Sequence, residues 1–179
     1  GIPHFESKVQ VEDAISDSGV DCTFLRPAFF MENLYMQMPL IKEQSIISLP
    51  LPGDLAIPMV ACEDIAYAAS QSLLRGARDD MEAYDMLGGA DYTMEQVAEM
   101  VSEVSERQVR YVQMSDEEAE QVLRKMGMSE PVISNMLTMY RKFSQMEFDT
   151  NRELVYDEFN FEPTSLEDFV RTFAGAARV

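Results

Sequence analysis

The sequence predicts an α/β fold whose first half alternates helices with short strands and whose second half is mostly helical. Up to about residue 90, segments with apolar residues at three-to-four spacing alternate with short apolar runs that end near Pro or Gly. Beyond that point, patterns typical of helix starts recur, of which Ser115-Asp116-Glu117-Glu118 is the clearest.

The elements of the first half follow from these patterns in chain order. Phe5, Lys8 and Ile15 at helical spacing predict a helix over residues 4–15 that Ser18-Gly19 ends. The apolar run over residues 20–25 predicts a buried strand before Arg26-Pro27. The other elements expected here are a loop and helix over 29–42, strands over 45–51, 55–60 and 83–87, and a helix over 63–75.

Helices dominate the predicted second half. Thr93 is a favourable N-cap for a helix over residues 94–104, and Pro131 suits the first position of another helix. The elements expected here are a strand over 108–114 and helices over 94–104, 116–126, 131–145 and from 164 onward.

The composition limits the classes of function that this chain can have. At 46% hydrophobic residues the chain can bury a core, and 32 acidic against 14 basic residues give a net charge of −18. Such a charge argues against binding to nucleic acid or to anionic membranes. No apolar run approaches the ~20 residues of a membrane helix, and no signal peptide is indicated.

Cysteine and histidine are scarce. Cys22 and Cys62 are too few for a disulfide scaffold and lack metal-ligand spacing, and His4 is the single histidine. We therefore expect no metal site and a reducing, cytoplasmic location.

No glycine-rich phosphate-binding motif occurs in the chain. Gly88-Gly89 stands between a predicted strand and a helix, which is the right context for a phosphate turn. Asp91 and Glu95, however, would place carboxylates against a bound pyrophosphate. The pair is therefore interpreted as an ordinary loop.

Two blocks of sequence resemble the NmrA-like family, whose members are atypical short-chain dehydrogenases that include NADP(H)-sensing proteins. They are His4-Phe5-Glu6-Ser7-Lys8 and the longer block Gly19-Val20-Asp21-Cys22-Thr23-Phe24-Leu25-Arg26-Pro27-Ala28-Phe29-Phe30-Met31-Glu32-Asn33-Leu34. Weaker similarity continues at 57–66, 92–98 and 163–170.

The resemblance implies the C-terminal part of an NAD(P)-binding Rossmann-type sheet plus a mostly helical small lobe. Residues 1–90 correspond to the end of the Rossmann-type domain, and residues 91–179 to a lobe for substrate or partner. The N-terminal βαβ half, which grips the pyrophosphate in the family, is absent from this chain. We therefore expect NADP or NAD to bind the full-length protein but not this chain alone. An exposed sheet edge would favour a homodimer.

The resemblance also assigns candidate site residues. Lys8 would contact the nicotinamide ribose or act as general acid, and the alternative is a surface pair with Glu12. The cofactor-binding set is Lys8, Phe30, Met31, Glu32 and Asn33. Within it, Phe30 would stack on the nicotinamide and Asn33 would bind the carboxamide. The alternative for this segment is core packing by the apolar residues, with Asn33 as a cap.

Three functions remain open. Typical short-chain dehydrogenases carry a Tyr four residues before the lysine, where this sequence has His4. That departure favours a regulator that senses the nucleotide state over an NAD(P)H-dependent reductase of a small carbonyl or quinone. The third possibility is an acidic protein-interaction module without a cofactor.

Overall fold

The structure is a computed structural model that describes residues 2–76, 82–146 and 153–177. The helices in these ranges are α1 Pro3–Asp17, α2 Met38–Gln44, α3 Cys62–Arg75, α4 Met94–Ser105, α5 Asp116–Lys125, α6 Glu130–Phe143, α7 Glu153–Phe159 and α8 Leu166–Ala177, with a 3₁₀ helix at Met31–Gln37. The strands are β1 Thr23–Pro27, β2 Phe29–Phe30, β3 Ile46–Ile47, β4 Ile57–Val60, β5 Glu82–Met86, β6 Asp91–Tyr92 and β7 Arg110–Tyr111.

The described strands form small, mostly parallel sheets. β1 pairs with β5 in parallel, with Pro27 opposite Met86. β2 pairs in parallel with β4, which also pairs antiparallel with β6. β3 pairs in parallel with β7. The parallel pairs require helical crossovers, and this explains the alternation of helices and strands in the first half.

The predicted strand over 45–51 is shorter than expected. Only Ile46–Ile47 is regular strand, although backbone N–H groups of Val112 and Met114 still donate to the carbonyls of Ile47 and Leu49, at 2.9 and 3.0 Å. Pro50 and Pro52 follow, and a proline has no N–H with which to extend a ladder. The helix α7 and the two-residue strands β2 and β6 are absent from the sequence-based prediction.

The main core lies between the sheets and the helices α4 and α8. It includes Met31, Ile57, Val97 and Phe173, all at most 2% exposed. Leu166, Phe169, Val170 and Phe173 face inward as predicted. The division near residue 90 stays a prediction, and this core draws on both sides of it.

Helix α1 lies at the margin of the described structure. Phe5 stacks on Phe143 of α6 with ring centroids 5.9 Å apart. Phe5, Val9 and Val11 are nevertheless 40–55% exposed. None of the described helices is long and apolar enough to cross a membrane.

Candidate functional site

The carboxyl ends of four strands meet at one edge of the molecule. Ala28, between β1 and β2, donates its backbone N–H to the Met86 carbonyl at the end of β5, at 3.0 Å. Phe30, the last residue of β2, is in register with Val60, the last residue of β4. Ligands bind at such edges in open α/β sheets.

The segment Phe30–Asn33 leaves this edge and enters the 3₁₀ helix. Phe30 is 37% exposed, and Glu32 and Asn33 are half-buried. Met31 is fully buried in the main core. Its side chain therefore packs in the core, which is the alternative to cofactor binding given above. Phe30 and Asn33 are therefore the side chains of this segment that remain accessible to a ligand.

Lys8 lies on α1 and is exposed. Its suggested partner Glu12 is engaged elsewhere: the Arg26 guanidinium donates to both carboxylate oxygens of Glu12, with Nε at 3.0 Å from Oε1. This contact lowers the pKa of Glu12 and raises that of Arg26. The alternative pairing of Lys8 with Glu12 is therefore wrong. Lys8 precedes Glu12 by one helical turn and shares its face of α1.

The carboxylate of Glu32 is turned towards the start of α3. Its Oε1 accepts the backbone N–H of Cys62 at 2.9 Å, and its Oε2 is buried without a hydrogen-bond partner in the described structure. Partial burial, then the hydrogen bond and charge of Glu32, raise the pKa of the Cys62 thiol to about 11. A helix N-terminus would by itself lower that pKa. Burial and Glu32 act in the opposite direction.

Asp64, two residues further along α3, is buried with 4% of its surface exposed. Its carboxylate accepts the backbone N–H of Thr164 at 3.0 Å and the hydroxyl of Thr164 at 2.7 Å. Burial raises the pKa of Asp64, and the charges of Glu63 and Glu32 add to the shift against the hydrogen bonds from Thr164. This contact fastens the start of α3 to the residues just before α8.

The turn after β5 packs closely against β4 at the carboxyl ends of the strands. Gly88 has φ +74°, and a β-carbon on it would lie 1.6 Å from the Met59 carbonyl oxygen. Beside it, a shallow cavity of about 560 Å³ is lined by Gly89 and by residues of the segment 156–163, including the rings of Tyr156 and Phe161. The lining of this open cavity also includes Asp157 and Glu162, so part of its wall is acidic.

Sequence reasoning missed the contacts of Glu32, Asp64 and Thr164. Asp64 reads as an ordinary acidic residue in the first turn of a helix, which is favourable there without any partner. Its bond to Thr164 joins residues 100 positions apart. No local pattern signals a contact of that range.

The curated proteins that this chain resembles include an NAD(P)H azoreductase and a differentiation protein. An NAD(P)H azoreductase of Xenophilus azovorans is 33% identical over 129 residues, which span 72% of this chain and 44% of the azoreductase. The prestalk A differentiation protein A of Dictyostelium discoideum is 26% identical over 172 residues, 56% of its own length. The chain thus spans about half the length of the curated relatives that it matches.

Solved structures give the fold. An NADPH-dependent quinone oxidoreductase of Escherichia coli superposes with a TM-score of 0.78 at 21% identity, covering 94% of this chain and 60% of that one. NmrA, a negative transcriptional regulator solved with NAD, superposes with a TM-score of 0.68 at 15% identity, covering 96% and 58%. The predicted fold class, part of a Rossmann-type sheet with a helical lobe, is confirmed. A model of the NmrA-like family matches residues 1–170, and the chain belongs to that family.

Proposed function

We propose that this chain forms the nicotinamide-facing edge and acceptor lobe of an NAD(P)H-dependent reductase of a small carbonyl or quinone. The observation that carries the proposal is the position of Phe30 and Asn33, which stay accessible at the carboxyl edge while Met31 and Glu32 anchor the same segment. An exposed aromatic ring and a nearby amide suit a flat ring that bears a carboxamide.

The residues present fit one end of a dinucleotide. The strand ends and the segment Phe30–Asn33 suit the nicotinamide, but no glycine-rich turn is present for the pyrophosphate. Gly88-Gly89 does not replace it, because Gly88 is packed against the Met59 carbonyl. The chain therefore supplies the nicotinamide end, and the pyrophosphate needs residues outside it.

Lys8 suits the ribose next to the nicotinamide. The Glu12–Arg26 contact holds its face of α1 against β1, and Arg26 stands next to the carboxyl end of that strand. An ammonium group can donate to ribose hydroxyls from such a position. Met31, buried in the core, and Glu32, bonded to Cys62, hold this segment in place and do not contact the cofactor themselves.

A nicotinamide, when bound, supplies the hydride. The residues of this chain would orient the ring, keep water from one of its faces and leave the cavity beside Gly89 for the acceptor. The azoreductase and quinone oxidoreductase relatives support a reductase. We propose a reducing, cytoplasmic location for this reaction, which suits the free thiols of Cys22 and Cys62.

A nucleotide-state sensor is the second candidate. His4, four residues before Lys8, replaces the tyrosine of typical short-chain dehydrogenases. NmrA itself is described as a negative transcriptional regulator, which supports this role in the family. A sensor would bind the dinucleotide without turning over an acceptor.

A chimera tests the proposal. The dinucleotide-binding half of the azoreductase, joined ahead of this chain, is expected to bind NADPH and to oxidise it with a benzoquinone acceptor. Lys8→Ala in the chimera should weaken NADPH binding by about 1–3 kcal/mol, the cost of a charge-assisted hydrogen bond. Lys125→Ala, which removes an exposed lysine of α5, is the matched control.

The outcomes separate the candidates. Binding without quinone-dependent oxidation would favour the sensor, and equal NADPH affinity of the Lys8→Ala and Lys125→Ala chimeras would remove Lys8 from the site. This chain alone is expected to bind NADPH more weakly than about 10 μM, since it has no pyrophosphate turn. Failure of a well-folded chimera to bind NADPH would leave the acidic interaction module.

A further inference from the structure

Two carboxylates bond the first turn of α3 to neighbouring segments. Glu32, from the 3₁₀ helix, accepts the N–H of Cys62, the first residue of α3. Asp64, in the same turn, accepts both the N–H and the hydroxyl of Thr164. A single helical turn is thus bonded both to the segment Phe30–Asn33 and to the residues before α8.

The second anchor lies where α8 begins. Ser165, next to Thr164, accepts the N–H of Asp168 at 3.1 Å and so caps the first turn of α8. The ring of Tyr35 in the 3₁₀ helix makes edge contacts with Phe169 and Phe173, at centroid distances of 5.9 and 5.3 Å. The 3₁₀ helix and α8 are therefore connected both by direct packing and through α3.

The two carboxylates also interact through their charges. The groups that act on Asp64 are Thr164, by two hydrogen bonds, and the carboxylates of Glu63 on α3 and of Glu32 on the 3₁₀ helix. The Glu32 charge acts in turn on the thiol of Cys62. The charge of Glu32 thus acts on both Asp64 and the thiol of Cys62.

We propose that Glu32 and Asp64 are positioning residues that couple the segment Phe30–Asn33, through the first turn of α3, to the start of α8. This inference rests on the proposed function only in naming that segment as the nicotinamide-facing one. Movement of the segment on binding a dinucleotide would then change how firmly α8 is held. For either proposed function, this is a route from the nucleotide to the helical lobe.

The thiol of Cys62 is a built-in reporter of this arrangement. Its residue is exposed, and its pKa depends on Glu32. In a Cys22→Ser background, the rate of Cys62 alkylation by iodoacetamide against pH gives that pKa directly. Each unit by which the pKa falls should raise the rate near pH 8 about threefold, because the tenfold gain in thiolate is partly offset by its lower nucleophilicity.

Glu32→Gln is expected to lower the pKa of Cys62 by about one unit or more, since it removes the charge beside the thiol. Glu63→Gln removes an exposed carboxylate from the same turn and is the matched control, with a smaller expected shift. Equal profiles for the two variants would show that Glu32 does not hold the turn, and would overturn the first half of the coupling.

Variants of Thr164 test the second half of the coupling, which is the link between Asp64 and the start of α8. Thr164→Val removes the hydroxyl bonded to Asp64, so we expect the pKa of Cys62 to fall although Thr164 is 100 residues away. Thr164→Ser keeps the hydroxyl and should restore the original profile. Faster hydrogen exchange at the first amides of α8 in Glu32→Gln would show transmission in the other direction.

An unchanged thiol profile in Thr164→Val, with the folded state confirmed by circular dichroism, would overturn the coupling. If Thr164→Ser also lowers the pKa of Cys62, the hydroxyl is not the cause and Thr164 acts through packing. That result would equally overturn the coupling. None of these measurements requires a dinucleotide. Their failure is therefore distinct from a failure of the proposed function, which shows in NADPH binding.

Discussion

Gly88 shows how one residue without a side chain sets the geometry of the candidate site. It leaves β5 with φ +74° at the point where the chain passes closest to the Met59 carbonyl of β4. This approach brings the ends of β4 and β5 together. A side chain is excluded here both by the backbone angle and by the available space.

Gly88→Ala is accordingly expected to destabilise the fold by several kcal/mol, well beyond the ~1–2 kcal/mol of left-handed strain in a non-glycine residue. Gly19→Ala is the matched control, because Gly19 has φ +72° and no atom within 4 Å of the added β-carbon. Unfolding in urea measures both. Similar losses in the two variants would mean that the Met59 contact does not constrain the turn.

The sequence predicts individual helices well because their signals are local. The N-cap predicted at Thr93 and the capping box predicted at Ser115 are both present, and at each the backbone N–H of the residue three positions on donates to the cap hydroxyl. Strands were predicted less well, since β2, β6 and β7 are only two residues long and depend on partners elsewhere in the chain. Local patterns predicted an α/β fold with a mostly helical second half, and the resemblance to a family identified its sheet as part of a Rossmann-type sheet.

The candidate site was predicted only in outline, for the same reason. The sequence placed the segment Phe30–Asn33 just after a strand, and its role in binding a cofactor stays a prediction. The direction in which Glu32 points, and the choice of Arg26 over Lys8 as the partner of Glu12, depend on how α1 and α3 pack. Such contacts join residues from different elements and have no sequence period.

The Glu12–Arg26 contact fastens α1 to β1, and its strength should depend on pH. The pKa of Glu12 is lowered from its ordinary value of 4.5, chiefly by the hydrogen bond from Arg26. A carboxyl group whose pKa is lower in the folded state stabilises the fold above the unfolded-state pKa. That contribution is lost as the pH falls through the folded-state value.

We therefore expect Glu12→Gln to lower the free energy of unfolding by up to about 1 kcal/mol near neutral pH, the usual limit for an exposed pair. As the pH falls below 4.5 and through the lowered folded-state pKa of Glu12, the variant and the original chain should converge. Asp13→Asn, which neutralises the neighbouring exposed carboxylate of α1, is the control. A difference that persists unchanged at acidic pH would exclude the ion pair as its cause.

At the scale of the whole molecule, the net charge of −18 opposes the compact state. Added salt screens this repulsion, with a Debye length that falls from ~30 Å at 0.01 M to ~3 Å at 1 M. The melting temperature should therefore rise with sodium chloride, mostly within the first few tenths molar. Potassium chloride should give the same curve if screening is the cause. A flat or falling melting temperature would contradict the prediction.

The open edge of β1 has a consequence for assembly. Among the described strands β1 has one neighbour, β5, and Ala28 donates its N–H towards that neighbour. Because backbone groups alternate along a strand, the N–H groups of Thr23 and Leu25 face the other edge. Exposed strand edges of this kind add strands from other chains.

We therefore expect this chain to associate with a second copy through β1, and the mass measured by light scattering to rise with concentration. Thr23→Pro removes a donor from the open edge at the first position of the strand, where proline is tolerated, and should shift the chain towards monomer. Thr23→Val keeps the donor and should behave like the original chain. A chain that stays monomeric at all concentrations would show that the edge does not pair. In the azoreductase chimera, strands of the added half should cover this edge. The chimera should therefore not associate through β1, and Thr23→Pro should not change its mass in light scattering.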